Sequence, residues 1–106
     1  MARLLNQFEF FKEIWSERDH ISFLSNRPIK YFDVKSFAHI LPKGKFTKYK
    51  YNKDNIILLL PEEHTLLDQG TEKQRVEYSK KWGCNWDKIY MLREHLIKLY
   101  YDSNKS

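Results

Sequence analysis

The chain has 106 residues, of which 42% are hydrophobic and 16% aromatic, and it carries a formal net charge of +5. This length and composition exclude an intrinsically disordered chain and fit one globular domain over residues 1–106. No apolar run approaches the roughly 20 residues of a membrane span, and the N-terminus turns acidic and aromatic too early for a signal peptide, so we expect a soluble protein that makes no membrane contact.

The N-terminal part predicts a helix followed by a short extended pair. Residues 6–17 form the predicted helix, with Asn6 as its N-cap and Glu9 three residues later, the arrangement of a capping box. The apolar residues at helical spacing are Phe8, Phe11, Ile14 and Trp15. Between residues 18 and 32, two apolar runs flank a polar turn, which predicts a hairpin or extended pair.

Two strands and a helix are predicted between residues 36 and 70. The first strand covers 36–41 and ends before Pro42, and the second covers 56–60. Pro61 suits the first position of a helix, and Gly70 is a natural stop, so the helix covers 61–69.

Two further helices are predicted within residues 72–101. The first covers 72–82 and ends at Gly83, and the second runs from Asn85 or Trp86 to Tyr101. Its apolar residues at helical spacing are Trp86, Ile89, Leu92, Leu96 and Tyr100. We interpret these aromatic and aliphatic side chains as core rather than as surfaces for stacking nucleic-acid bases.

A basic loop joins the two predicted strands. The segment 43–53 contains no acidic residue and carries five lysines: Lys43, Lys45, Lys48, Lys50 and Lys53. Aromatic residues are interleaved with them, and clustered lysines suit contact with nucleic-acid phosphates. The alternative is a loop whose charges serve only solubility.

His64 and Asp68 lie four residues apart in the predicted helix. This spacing places both side chains on one helix face, where they can contact the same ion. An imidazole nitrogen and a carboxylate oxygen form a competent pair for a divalent metal.

Residues 15–72 resemble the HNH (His-Asn-His) endonucleases, in particular their small phage and bacterial branch. His39 ends the first strand within His-Ile-Leu-Pro-Lys-Gly, Asn55 opens the second within Asn-Ile-Ile-Leu-Leu, and His64 follows nine positions later after two glutamates. The resemblance implies an α+β fold, in which a ββα-metal finger of about residues 36–70 packs on flanking helices.

The same resemblance implies a role for each of these residues. His39 corresponds to the general base, and an imidazole titrates near neutrality, which suits proton abstraction. Asn55 corresponds to the residue that fixes the loop geometry or, in some branches of the family, contacts the metal. His64 and Asp68 correspond to ligands of one divalent cation, Mg²⁺ or Mn²⁺, with Zn²⁺ or Ni²⁺ also compatible with imidazole. The implied activity is hydrolysis of DNA phosphodiester bonds.

Ala38 departs from the pattern, because many members of the family carry a metal ligand immediately before the base. Either His64 and Asp68 suffice, or Asp33 or His20 substitutes, or the activity is lost. The last option leaves a non-catalytic nucleic-acid-binding module, and a protein-interaction domain is a third, weaker alternative.

Cys84 is the single cysteine. It excludes an intrachain disulfide and the paired cysteines with which many HNH nucleases bind a structural zinc ion. We interpret it as a packing residue in a reducing, cytoplasmic environment.

Overall fold

The computed structural model describes residues 6–42, 44–46 and 49–103. This part of the chain has an α+β fold with four α-helices and one two-stranded antiparallel sheet. The elements are α1 (Gln7–Glu17), a 3₁₀ turn (Val34–Ser36), β1 (Phe37–His39), a second 3₁₀ turn (Lys53–Asn55), β2 (Ile56–Leu58), α2 (Pro61–Gln69), α3 (Glu72–Trp82) and α4 (Asp87–Ser103). Within it, no helix is both long and apolar enough to cross a membrane.

Helix α1 begins as predicted, but its buried face differs from the prediction. The Asn6 side chain accepts a hydrogen bond from the Glu9 backbone N–H at 2.8 Å. Phe11 and Ile14 are buried, as predicted, whereas Phe8 is 52% exposed and Phe10 is buried instead. The prediction for Phe8 was wrong because the apolar stripe of a helix is wide enough to include adjacent positions, and here it begins at residue 10.

The segment after α1 folds back on itself, which confirms the predicted extended pair. Ile21 forms an isolated antiparallel bridge with Pro28. Asn26 lies in the turn with a φ of 62°, a conformation that asparagine tolerates better than most residues.

Strands β1 and β2 are shorter than the predicted 36–41 and 56–60. Phe37 pairs with Leu58, and His39 pairs with Ile56. Beyond His39, the Leu41 backbone N–H donates to the side chain of Asn55 at 2.7 Å rather than to a strand. Since Ile40 still donates its backbone N–H to the Asn55 carbonyl at 2.8 Å, the chain leaves the sheet at Leu41.

The sheet separates two groups of buried side chains. Because strand side chains alternate, Phe37 and His39 share a face with Ile56 and Leu58, and that face packs on α1. The opposite face, with Ala38 and Ile57, packs on residues of α3 and α4: Tyr78, Ile89 and Leu96, together with Trp86, which precedes α4. Burial of Trp86, Ile89 and Leu96 confirms their interpretation as core.

The predicted bounds of α2 and α3 are confirmed, while α4 extends to Ser103 rather than Tyr101. Gly83 has a φ of 63°, the left-handed conformation expected of a residue that ends a helix. Gly70 ends α2 for a different reason. Its φ is −76°, and a Cβ added there would lie 2.6 Å from the Leu66 carbonyl oxygen, so close backbone approach excludes a side chain.

Candidate functional site

A cleft of about 580 Å³ lies between α1, the end of β1, α2 and α4. It brings together three of the residues singled out from the sequence, His39, His64 and Asp68. The other residues that line it are Gln7, Phe11, Val34, Lys35, Phe37, Ile40, Pro42, Gly44 and Arg93.

His39 enters the cleft from the last position of β1, on the sheet face that packs on α1. Its Nε2 lies 3.2 Å from the Lys50 carbonyl oxygen, in the loop between the strands. A carbonyl can only accept, so this contact is a hydrogen bond when Nε2 carries the hydrogen. The neutral ring then has its lone pair on Nδ1, the atom with which it can take up a proton.

His64 is oriented by a backbone carbonyl. Its Nδ1 lies 2.7 Å from the Lys35 carbonyl oxygen, in the 3₁₀ turn before β1. By the same reasoning Nδ1 is the donor, and the neutral ring holds a lone pair on Nε2. That atom lies 3.0 Å from Oδ2 of Asp68, one helical turn later.

The facing atoms of His64 and Asp68 are both acceptors when the imidazole is neutral. Two acceptors at 3.0 Å repel each other unless a proton or a metal ion lies between them. Two ligands at right angles, each about 2.1 Å from an octahedral cation, are separated by about 3.0 Å. The donor set therefore fits a divalent cation in both chemistry and spacing.

Helix α2 provides two ligands for such a cation, His64 and Asp68. Within the described ranges, no group of three or more histidine, cysteine, aspartate or glutamate side chains converges. His20, one of the predicted substitutes, stacks on Trp15 with the ring centroids 3.4 Å apart. Asp33, the other, accepts a hydrogen bond from the Lys35 backbone N–H at 2.9 Å. Neither lines the cleft, so water and substrate oxygens would complete the coordination.

Ala38 is fully buried on the sheet face opposite His39. Strand alternation directs its side chain into the core with Ile57 rather than toward the cleft. The position before His39 therefore belongs to the hydrophobic core.

Asn55 is fully buried and closes the loop between the strands. Its Oδ1 accepts from the Leu41 N–H at 2.7 Å, and its Nδ2 donates to the carbonyls of Leu41 at 3.1 Å and Tyr49 at 3.2 Å. Each of these bonds is to backbone, and Asn55 does not line the cleft. Its side chain sets the path of the chain on both sides of the loop.

The basic loop is only partly described. Lys43 and Lys48 lie outside the described residues, while Lys45 and Lys50 are exposed. Lys53 differs from these two, because its Nζ contacts the carboxylates of Glu13 at 3.0 Å and Glu17 at 2.8 Å on α1. These hydrogen bonds raise the pKa of Lys53, which stays charged but already paired.

Glu63 is one of the two glutamates that precede His64, and nothing in its sequence context indicated burial, yet it is fully buried. It accepts hydrogen bonds from four groups: the hydroxyls of Ser22 at 2.5 Å, Ser25 at 2.5 Å and Tyr78 at 2.7 Å, and the Leu60 N–H at 2.8 Å. The carboxylate thereby joins the 21–28 turn, α2 and α3. This cluster fixes the first turn of the helix that carries His64.

No family model, curated protein or solved structure matches the chain.

Arg93 was missed by the sequence reasoning, because it lies in a helix whose apolar spacing indicated only scaffold. It is half-buried, and its Nε donates to the Ile40 carbonyl at 3.1 Å. Since Ile40 follows His39 directly, α4 contacts the backbone that carries the proposed base. An isolated arginine within a helix gives no sequence signal for such a role.

Cys84 does not have the environment of a reactive nucleophile. It packs against the core beside Trp86, and burial raises the pKa of its thiol. A thiol with a raised pKa is a poor nucleophile near neutrality.

Proposed function

We propose that the protein is a metal-dependent DNA endonuclease that hydrolyses phosphodiester bonds, with His39 as general base and one divalent cation held by His64 and Asp68. The observation that carries the proposal is the facing pair of His64 Nε2 and Asp68 Oδ2 in the same cleft as His39. The proposal includes the assignment of residues 36–70 as a ββα-metal finger of the HNH type.

His39 accepts the proton of the attacking water on Nδ1, while Nε2 remains bonded to the Lys50 carbonyl. The resulting hydroxide forms a bond to phosphorus, and the bond from phosphorus to the 3′ oxygen breaks. The leaving oxygen takes a proton from solvent, which gives a 5′ phosphate and a 3′ hydroxyl. Bound Mg²⁺ or Mn²⁺ would supply positive charge for the phosphoryl oxygens and the leaving group.

His64 and Asp68 would hold the cation. The Lys35 carbonyl keeps Nδ1 of His64 protonated, so Nε2 faces the cation without a change of tautomer. Asn55 acts at a distance from the reaction by keeping the chain on both sides of the loop in place. We therefore assign it a positioning role.

A second candidate is a nucleic-acid-binding module without catalytic activity. The observation that favours it is Ala38, which is buried in the core at the position where many HNH nucleases carry a further metal ligand. Among the described residues, the ligands for a cation are then the two on α2. Such a module would bind DNA through exposed lysines, including Lys45 and Lys50, without any requirement for a cation.

Incubation of supercoiled plasmid with the purified protein separates the two candidates. An endonuclease converts the plasmid to nicked or linear forms with Mg²⁺ or Mn²⁺ and not with EDTA. The Asp68→Asn protein should lose this activity and bind Mn²⁺ more weakly in a calorimetric titration. Glu62→Gln is the matched control, since it removes the same charge from an exposed position of α2 outside the cleft.

Plasmid that stays supercoiled under all metal conditions would exclude the endonuclease. Equal Mn²⁺ affinities of the wild-type and Asp68→Asn proteins would exclude Asp68 as a ligand.

A further inference from the structure

Arg93 presents a fixed guanidinium to the cleft. Its Nε donates to the Ile40 carbonyl at 3.1 Å, and its Cζ lies 5.8 Å from the ring centroid of Tyr90, one turn earlier in α4. Within the described ranges, the Ile40 carbonyl is the only hydrogen-bond acceptor that this guanidinium contacts. One edge of the planar group is thus anchored to backbone, which leaves the terminal nitrogens for another acceptor.

The position of Arg93 makes a phosphate the natural acceptor. It lines the same cleft as His39 and Asp68, and it contacts the residue directly after His39. An arginine edge bonds two oxygens of one phosphate in parallel, and an anchored side chain loses less conformational freedom when it does so. Lys35, the other permanently cationic residue described in the cleft, is exposed and has a flexible side chain.

We propose that Arg93 binds the non-bridging oxygens of the phosphodiester that is cleaved, so that α4 supplies a phosphate-binding residue to the site formed by β1 and α2. This inference rests on the proposed function. Negative charge grows on those oxygens as the hydroxide bonds to phosphorus. A guanidinium held in place beforehand stabilises that charge more than it stabilises the ground state.

The test compares Arg93→Ala, Arg93→Lys and Lys98→Ala. Lys98 is the matched control because it is an exposed cation on the same helix and does not line the cleft. We expect Arg93→Ala to lower the single-turnover nicking rate by about 10²-fold or more. Arg93→Lys should retain part of the rate, and Lys98→Ala should retain all of it.

Two further measurements separate phosphate binding from a structural role. Guanidinium ion added at a non-denaturing concentration should restore part of the activity of Arg93→Ala. The log-log salt slope for duplex binding should also fall in magnitude by about 0.9 in this variant and stay unchanged in Lys98→Ala.

The inference is overturned if Arg93→Ala nicks at the wild-type rate or keeps the wild-type salt slope. It is also overturned if the rate falls together with the melting temperature and guanidinium restores nothing. A wild-type protein that does not cleave at all would refute the proposed function, and the salt slope would then decide the phosphate contact by itself.

Discussion

His39 combines a strand-end position with a contact that fixes its ring. The Lys50 carbonyl holds Nε2, which assigns the basic lone pair to Nδ1. The adjacent Ala38 is part of the core, while His39 reaches the cleft. A histidine that is only half-buried and opens to a cleft can exchange protons with a bound water.

The His39→Ala protein should therefore bind Mn²⁺ and DNA like the wild type and nick plasmid about 10²–10⁴-fold more slowly, the usual loss for a general base. The wild-type rate should also fall on acidification, because a protonated imidazole cannot accept a proton. His95→Ala, which removes an exposed histidine of α4, should change neither quantity.

An unchanged nicking rate in a well-folded His39→Ala protein would end the proposed mechanism. A lower melting temperature together with weaker DNA binding would instead show that His39 serves the fold.

The loop between the strands contains lysines in two different electrostatic situations. Lys45 and Lys50 are exposed, whereas Lys53 is paired with Glu13 and Glu17 on α1. A lysine that already neutralises carboxylates gains little by contacting a phosphate, since it must first leave its partners.

The Lys45→Gln/Lys50→Gln protein should bind all DNA sequences more weakly, and its log-log salt slope should fall in magnitude by about 0.9 for each lost phosphate contact. Lys53→Gln should leave the slope near the wild-type value. Fluorescence anisotropy of a labelled duplex across a salt series measures both. A wild-type slope in the double variant would remove the loop from the DNA-binding surface.

The Glu63 cluster connects three elements through one buried carboxylate. Burial and the hydrogen bond to Glu63 raise the pKa of the Tyr78 phenol above its ordinary value of 10.0. A phenol whose pKa is raised by folding stabilises the protein fully below pH 10. That contribution is lost as the pH rises beyond this value, because the unfolded chain ionises first.

The free energy of unfolding should therefore decline with pH above about 10. Tyr78→Phe should be less stable at neutral pH by about 1–3 kcal/mol, because the Glu63 carboxylate loses one donor, and its alkaline decline should be shallower. Urea titrations at several pH values measure both effects. Parallel pH profiles for the two proteins would contradict the role of the Tyr78 phenol.

The sequence predicted helix boundaries well where the conformational preference of a single residue determines them. The bounds of α2 and α3 follow from Pro61 and Gly83, whose conformational preferences act on the chain at their own positions. The point at which the chain leaves β1 did not follow, because there the Leu41 backbone N–H donates to the Asn55 side chain across the loop.

The sequence predicted which side chains of the cleft lie together only where those residues are close in the chain. His64 and Asp68 are four residues apart, so helical geometry alone brings them together. Arg93 reaches Ile40 across 53 residues, and the Glu63 cluster joins Ser22 to Tyr78. Such contacts depend on how the elements pack, which apolar periodicity does not specify.

Across the part of the molecule that the structure describes, the buried side chains form two clusters that share one sheet. Phe11 belongs to the cluster beside α1, while Trp86 belongs to the cluster beside α4, and β1 and β2 contribute to both. Loss of either cluster exposes one face of the sheet, so we expect the clusters to unfold together.

The Phe11→Ala substitution should lower the free energy of unfolding by about 3–5 kcal/mol, as for other buried phenylalanines. In a Trp15→Phe background, the tryptophans that remain are Trp82 and Trp86. Trp86 belongs to the cluster beside α4, and the ring of Trp82 lies 6.2 Å from that of Tyr78 in the same cluster. Their fluorescence should change at the same urea concentration as the far-ultraviolet circular dichroism. Two separate midpoints would show that the clusters unfold independently.

The buried Asn55 amide has a consequence for how this protein can be redesigned. Its bonds to Leu41 and Tyr49 clamp the base of the loop from one residue. Each doubling of the length of a flexible loop costs only about 0.6 kcal/mol in closure entropy. A longer or differently charged segment can therefore be inserted before Tyr49, where it leaves the Tyr49 and Lys50 carbonyls that Asn55 and His39 contact in place. The loop is thus an insertion site at which the charge and length of the surface can be changed without altering the side chains that line the cleft.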